Sequence, residues 1–254
     1  MELLICVGIT VLAFGFGVAG LYLQKRLPEH HTSDRSRDMI GAMVGLFSLL
    51  LALVLGTLVG SSFSFYSTQK AELETFASHA IQLDLALAEY GPETTPARIR
   101  MKQTLEFIYD TFWGKNAGQL KAEDLTVGSV LAHLRAMDEY IASLTPQTPA
   151  QRQFAAAASA NAGLIEQTRL LISLQLASPV SWPLVEVVVS WALILFLGYG
   201  LLSRVNATTV IALGLGAFAV GSAVFLILEL TAPFTGFFRI PPGAIEQMLA
   251  AIGT

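Results

Sequence analysis

Glu186 and Glu229 stand at the edges of long apolar stretches of this 254-residue chain. An ionisable side chain at membrane depth is costly, so such a residue implies work done by its charge. Both lie at stretch ends, where a carboxylate reaches headgroup water. Glu186 therefore reads as an interfacial anchor, and Glu229, beside a proline turn, as either an anchor or part of an ion site. A second pattern lies on one face of the stretch 39–63, where Phe47, Leu50, Val54, Thr57 and Ser61 follow one another at helical spacing. An apolar constriction opening into hydroxyls suits a pore that gates by dewetting; a lipid-facing surface has the same composition. His30-His31, with Glu29, Asp34 and Asp38 nearby, is the one candidate metal pair. Adjacent imidazoles do not share a helix face and no third is close, so a solvated loop is expected rather than a metal site. His79 and His133 stand alone and read as ordinary surface or core residues. No nucleophile elbow, metalloprotease helix or phosphate loop occurs, so neither catalytic residues nor a cofactor are expected.

The elements that position these residues follow from composition. Hydrophobic residues make up 54% of the chain and charged residues 13%, about half the charged share of an ordinary soluble domain. Segments 3–23, 39–63 and 205–228 carry no charge, whereas 64–180 holds nine Lys/Arg and twelve Asp/Glu. A bilayer core of about 30 Å needs roughly 20 apolar residues in a helix. Four spans are predicted, at about 3–23, 39–63, 184–202 and 207–228. A cleavable leader would start basic; here Glu2 precedes the first span and Lys25-Arg26 follows it. Small residues recur every three or four positions in the second span, at Gly41, Gly45, Ser48, Ala52, Gly56 and Gly60, and in the fourth at Gly214, Ala217 and Gly221. Such stripes admit a neighbouring helix at close range. Ser203 to Asn206 alone separates the last two spans, which predicts a tight antiparallel hairpin. The single cysteine, Cys6, excludes an intrachain disulfide.

Between the second and third spans, Leu73, Phe76, Ala80, Leu83, Leu87 and Tyr90 alternate at spacings of three and four. That is a heptad seam, serving either subunit contacts or an intrachain core. Gly91-Pro92 stops the helix. Thr95-Pro96 predicts a helix to about Trp113, Leu120 to Leu144 a further one, and Thr148-Pro149 an Ala-rich helix to about Ala177. No stretch alternates in the manner of a strand. After Pro233-Phe234-Thr235-Gly236, Pro241-Pro242 opens a short helix with Ile245, Met248, Leu249 and Ile252 on one face, suited to the membrane surface or to the bundle. The expected fold is all-α: an integral membrane protein with four transmembrane helices in a 2+2 order. A first transmembrane hairpin takes 1–63, an extramembrane helical domain 64–180, a second hairpin 181–230, and the turn with its amphipathic helix 231–254.

Lys25, Arg26, Arg35, Arg37 and Arg204 fall in the short loops, against Lys70, Arg169 and Arg239 near span ends on the other side. Positive-inside counting puts those loops in the cytoplasm of a cell (inner) membrane, with the middle domain and both termini outside. The net charge of −4 and the lack of any Lys/Arg run argue against a nucleic-acid partner; the partner expected from composition is the lipid bilayer.

Several stretches carry a resemblance: Tyr90-Gly91-Pro92-Glu93-Thr94, Asn206-Ala207-Thr208, Phe225-Leu226-Ile227-Leu228-Glu229-Leu230, and Pro233-Phe234-Thr235-Gly236 followed by Arg239-Ile240. Together with the order of elements, they resemble the bacterial membrane-protein family called bestrophin-like. The resemblance to bestrophins, pentameric anion channels whose second span lines the pore, implies a homo-oligomer, a pentamer, that passes small ions. Thr231, Ala232 and Thr235 stand where related sequences tend to carry charge, which puts a charged site at the turn in doubt. Bestrophins also hold their middle domain in the cytoplasm, opposite to the basic-residue count. The alternative is a non-conducting membrane sensor or scaffold whose middle domain binds a partner. A transporter is weaker, since paired midplane charges and broken helices are absent.

Overall fold

The computed structural model describes residues 2–26, 34–114, 137–176 and 182–253. Its helices are α1 (Glu2–Arg26), α2 (Asp34–Tyr90), a 3₁₀ turn (Pro92–Thr94), α3 (Thr95–Phe112), α4 (Pro149–Leu176), α5 (Trp182–Leu202), α6 (Ala207–Leu230) and α7 (Gly243–Ala251). Residues 137–143 are also helical, and no strand occurs among the described residues. Four helices, α1, α2, α5 and α6, are long and apolar enough to cross a membrane. The predicted helix at 120–144 lies mostly outside the described residues, as do His30, His31 and His133.

Local chemistry sets the helix ends. Gly91 has φ +145°, a conformation almost confined to glycine, and there α2 stops. Thr94, fully buried, turns its hydroxyl toward the carbonyls of Leu87 (2.5 Å) and Gly91 (2.8 Å), so it closes the end of α2 rather than capping α3. The expected Thr95 cap is therefore replaced: α3 begins at Thr95 with no side-chain cap bond. At α4 the Thr148 hydroxyl accepts from the Gln151 amide at 3.1 Å, while Gln151 Oε1 accepts from the amides of Gln147 and Thr148, a reciprocal capping box. Asn206 caps α6, accepting from the Thr209 amide at 2.7 Å.

The chain divides into two compact units. Unit 1 is Met1–Phe65 with Val180–Thr231. Within it α1 packs on α5 and α6, not chiefly on its sequence neighbour α2. A Cβ added to Gly20 would lie 2.9 Å from Gly200 Cα, and one on Gly200 would meet Gly17 O and lie 2.8 Å from Leu21 N. Two backbones thus touch where only glycine fits, the close approach that holds helices together in lipid. Ala13 and Ala217, both wholly buried, pack with Leu21, Phe196 and Leu213 beside it. Outward, Leu4, Val11, Ile211, Leu215 and Phe218 are more than 60% exposed. Water does not tolerate an apolar surface of that extent; unit 1 is a multi-pass membrane body.

Unit 2 is Tyr66–Pro179 with Ala232–Thr254. Leu73, Phe76, Ala80, Leu83 and Leu87 of the heptad seam are buried in its core with Met101, Leu105 and Ile165. Of the two uses the seam could serve, it serves the intrachain core. Ile245, Met248 and Ile252 of the C-terminal helix enter the same core, all within 1% of full burial. The tail is tied to α3 by Trp113 Nε1 donating to Ile240 O (2.8 Å), Tyr109 Oη to Glu246 (2.9 Å) and Lys102 Nζ to Ile252 O (2.9 Å). A bidentate Arg98–Asp84 pair, both bonds 2.7 Å, joins α3 to α2, and the Gly253 amide donates to the same carboxylate. That pairing keeps the Arg98 guanidinium above its ordinary range, first through the hydrogen bond. Beside the tail, the Glu246 bond raises the Tyr109 phenol.

Candidate functional site

Three faces can be distinguished on α2 between residues 39 and 63. The first packs on α5: Val44 lies against Gly198, Leu51 is buried with Val188, Ala192 and Leu195, and Phe47 meets Trp191 edge to face at a centroid distance of 6.2 Å. Polar ties flank this seam, with Ser48 bonded to Tyr199 (2.9 Å) and Arg37 donating to Leu202 O (3.0 Å). Large side chains fill the space here, so α2 stands farther from α5 than α1 does.

The second face is the small-residue stripe. Gly41, Gly45, Gly56 and Gly60 have open space where a Cβ would stand, and Ala52 is exposed. Those residues bring no other described helix close. Gly214 and Gly221 of the fourth span differ: the first lies near Phe14, the second against Thr10 and the Cys6 carbonyl. The third face holds the proposed lining. Leu50, Thr57 and Ser61 are exposed, whereas Phe47 and Val54 turn partly into the α5 seam. Thr57 returns its hydroxyl to Val54 O at 2.9 Å, which leaves its oxygen able to accept from outside. In its most apolar window α2 is 11% buried, against 28% for α1 and α6 and 39% for α5. It is the least covered of the four spans.

The two acidic residues separate. Glu186 is exposed on α5 and has no ion-pair partner among the described residues. Glu229 is 5% exposed inside unit 1, among Leu228, Leu230 and Thr231. Glu186 thus lies on the surface of α5 near its start. Glu229 instead belongs to the protein interior, next to a helix end closed by the Thr231 hydroxyl, which reaches Leu228 O at 2.8 Å and Ile227 O at 3.0 Å. The close α1–α5 contact through Gly17, Gly20 and Gly200 was not among the predicted packing residues. Ala13, Gly17 and Leu21 at four-residue spacing, with Gly20 and Gly200, carry its signal in the sequence.

The model of the family described as Bestrophin-like domain matches residues 11–245. No curated protein and no solved structure matches the chain.

Proposed function

From the premise that this chain belongs to the bestrophin-like family, we propose that it assembles as a homo-oligomer in the bilayer and passes small ions, anions by resemblance, along a passage lined by α2. The observation that carries this reading is the exposure of α2. One face is used by α5, and two remain open: a glycine stripe suited to another helix and a face ending in Thr57 and Ser61. In a ring of copies the stripe meets the neighbouring protomer, while Leu50, Thr57 and Ser61 turn to the axis, with Phe47 and Val54 at its edge. Five-fold symmetry comes from the resemblance alone. The basic residues of the short loops support an orientation with unit 2 and the termini outside the cytoplasm.

Reconstitution into planar bilayers, with native mass spectrometry of the same preparation, tests the proposal. Unitary currents from a defined oligomer are expected; a monomer that never conducts overturns it. A second reading, a non-conducting sensor or scaffold, draws on unit 2, which has its own core and exposes Phe107 at 70% and Leu85 at 56%. Silent bilayers together with a partner captured on the full-length protein would favour that reading.

A further inference from the structure

Within unit 2, α2, α3 and α4 part around a cavity of about 250 Å³. It is slightly smaller than the range of roughly 300–1,000 Å³ usual for small-molecule sites. Its wall is mostly apolar, built from such residues as Phe76, Leu83, Met101 and Ile165. Among the described residues, two guanidinium groups, Arg100 and Arg169, and one carboxylate, Asp138, border it. Neither guanidinium has a hydrogen bond or ion pair to another described side chain, in contrast to Arg98, held by Asp84. Burial alone pushes Arg169 below its ordinary range. A partly desolvated cation that no described carboxylate bonds is an unfavourable arrangement in an apolar wall. A ligand bearing an anion would relieve it, since a charge-assisted bidentate bond to carboxylate suits guanidinium.

We propose that this cavity binds a single-chain amphiphilic carboxylate of medium length, its chain among Phe76, Leu83, Met101 and Ile165 and its head group on Arg169 and Arg100. The volume accommodates one acyl chain rather than two. With two cations against one acid among its described residues, the rim selects an anion over an alcohol or an amine of equal length. The site is independent of whether the membrane spans conduct.

Photolabelling tests it on the full-length protein in phosphatidylcholine nanodiscs, with a diazirine-bearing decanoate as probe and adducts mapped by peptide mass spectrometry. Saturable adducts are expected on α3 and α4, competed by excess decanoate but not by equal decanol or decylamine. Arg169→Gln should lower saturable labelling about tenfold or more, the loss of one charge-assisted bond, with Arg169→Lys retaining part of it. Ala162→Phe, which fills the cavity and leaves the charges in place, should abolish it, and Arg100→Gln should give a smaller drop if the Arg169 variants do not fold. Labelling that never saturates, that falls only on the membrane spans, that decanol competes equally, or that survives both Arg169→Gln and Arg100→Gln would overturn the proposal.

Discussion

The two halves of α2 meet opposite fates. Between Leu73 and Tyr90 its apolar seam is buried in its own unit, with Leu87 wholly covered; between Gly41 and Gly60 its glycines have open space beside them. Solvent explains part of the difference, because lipid leaves exposed leucines at no disadvantage and water does not. It does not explain the glycines. In the proposed assembly, a residue that lowers helix propensity and meets none of the described residues of its own chain is covered by a neighbouring protomer. The half in unit 2 is covered within one chain; the half in unit 1 is covered only in the assembly we propose.

The comparison sharpens with variants taken from each side, the largest effect first. Gly200→Leu drives a side chain into the α1 backbone at Gly17, Gly20 and Leu21, which cannot yield as a rotamer can. Loss of the folded monodisperse peak in size-exclusion chromatography is expected. Met248→Ala removes a wholly buried side chain from unit 2 and should cost about 2–5 kcal/mol, read as a fall in thermal midpoint with the oligomer retained. Asp84→Asn breaks a bidentate pair whose acid is buried and whose arginine is one-fifth exposed. That exposure reduces the cost of splitting a buried pair to about 2 kcal/mol, read the same way.

Gly56→Leu reverses the pattern. The protomer should lose no more than about 0.5 kcal/mol, since the position is open, yet native mass spectrometry should show the oligomer fall apart. An unchanged oligomer breaks the comparison. The smallest effect is at Tyr109. Its phenol is raised by Glu246, so the bond stabilises fully below the unfolded phenol's range and is lost as pH rises through the folded one. Glu246→Gln should move the spectrophotometric titration of Tyr109 downward.

Much of this architecture was legible in the chain because its signals are local. Charge-free runs mark three of the four spans, and Thr148-Pro149 marks a helix start through a bond to the residue three positions on. Spacing in the seam from Leu73 to Leu87 identifies a buried face. What stayed hidden depends on distant partners. That α1 sits on α5 and α6 follows from glycines some 180 residues apart; the Arg98–Asp84 pair and the entry of Ile245 and Met248 into unit 2 likewise join separate elements. Within the candidate lining, helical periodicity grouped Phe47 and Val54 with Leu50, Thr57 and Ser61, but it holds no information on where α5 approaches. The pairing of Arg169 with an apolar cavity is also a tertiary fact.

The central claim concerns which face of α2 meets water inside the membrane. In a Cys6→Ala background, single cysteines at Thr57, Ser61, Leu51 and Gly45 can be treated with a membrane-impermeant thiol reagent while current is recorded. Modification and block at positions 57 and 61, with 51 and 45 inert, is the expected result; protection of 57 and 61, or equal reactivity at all four, contradicts the account.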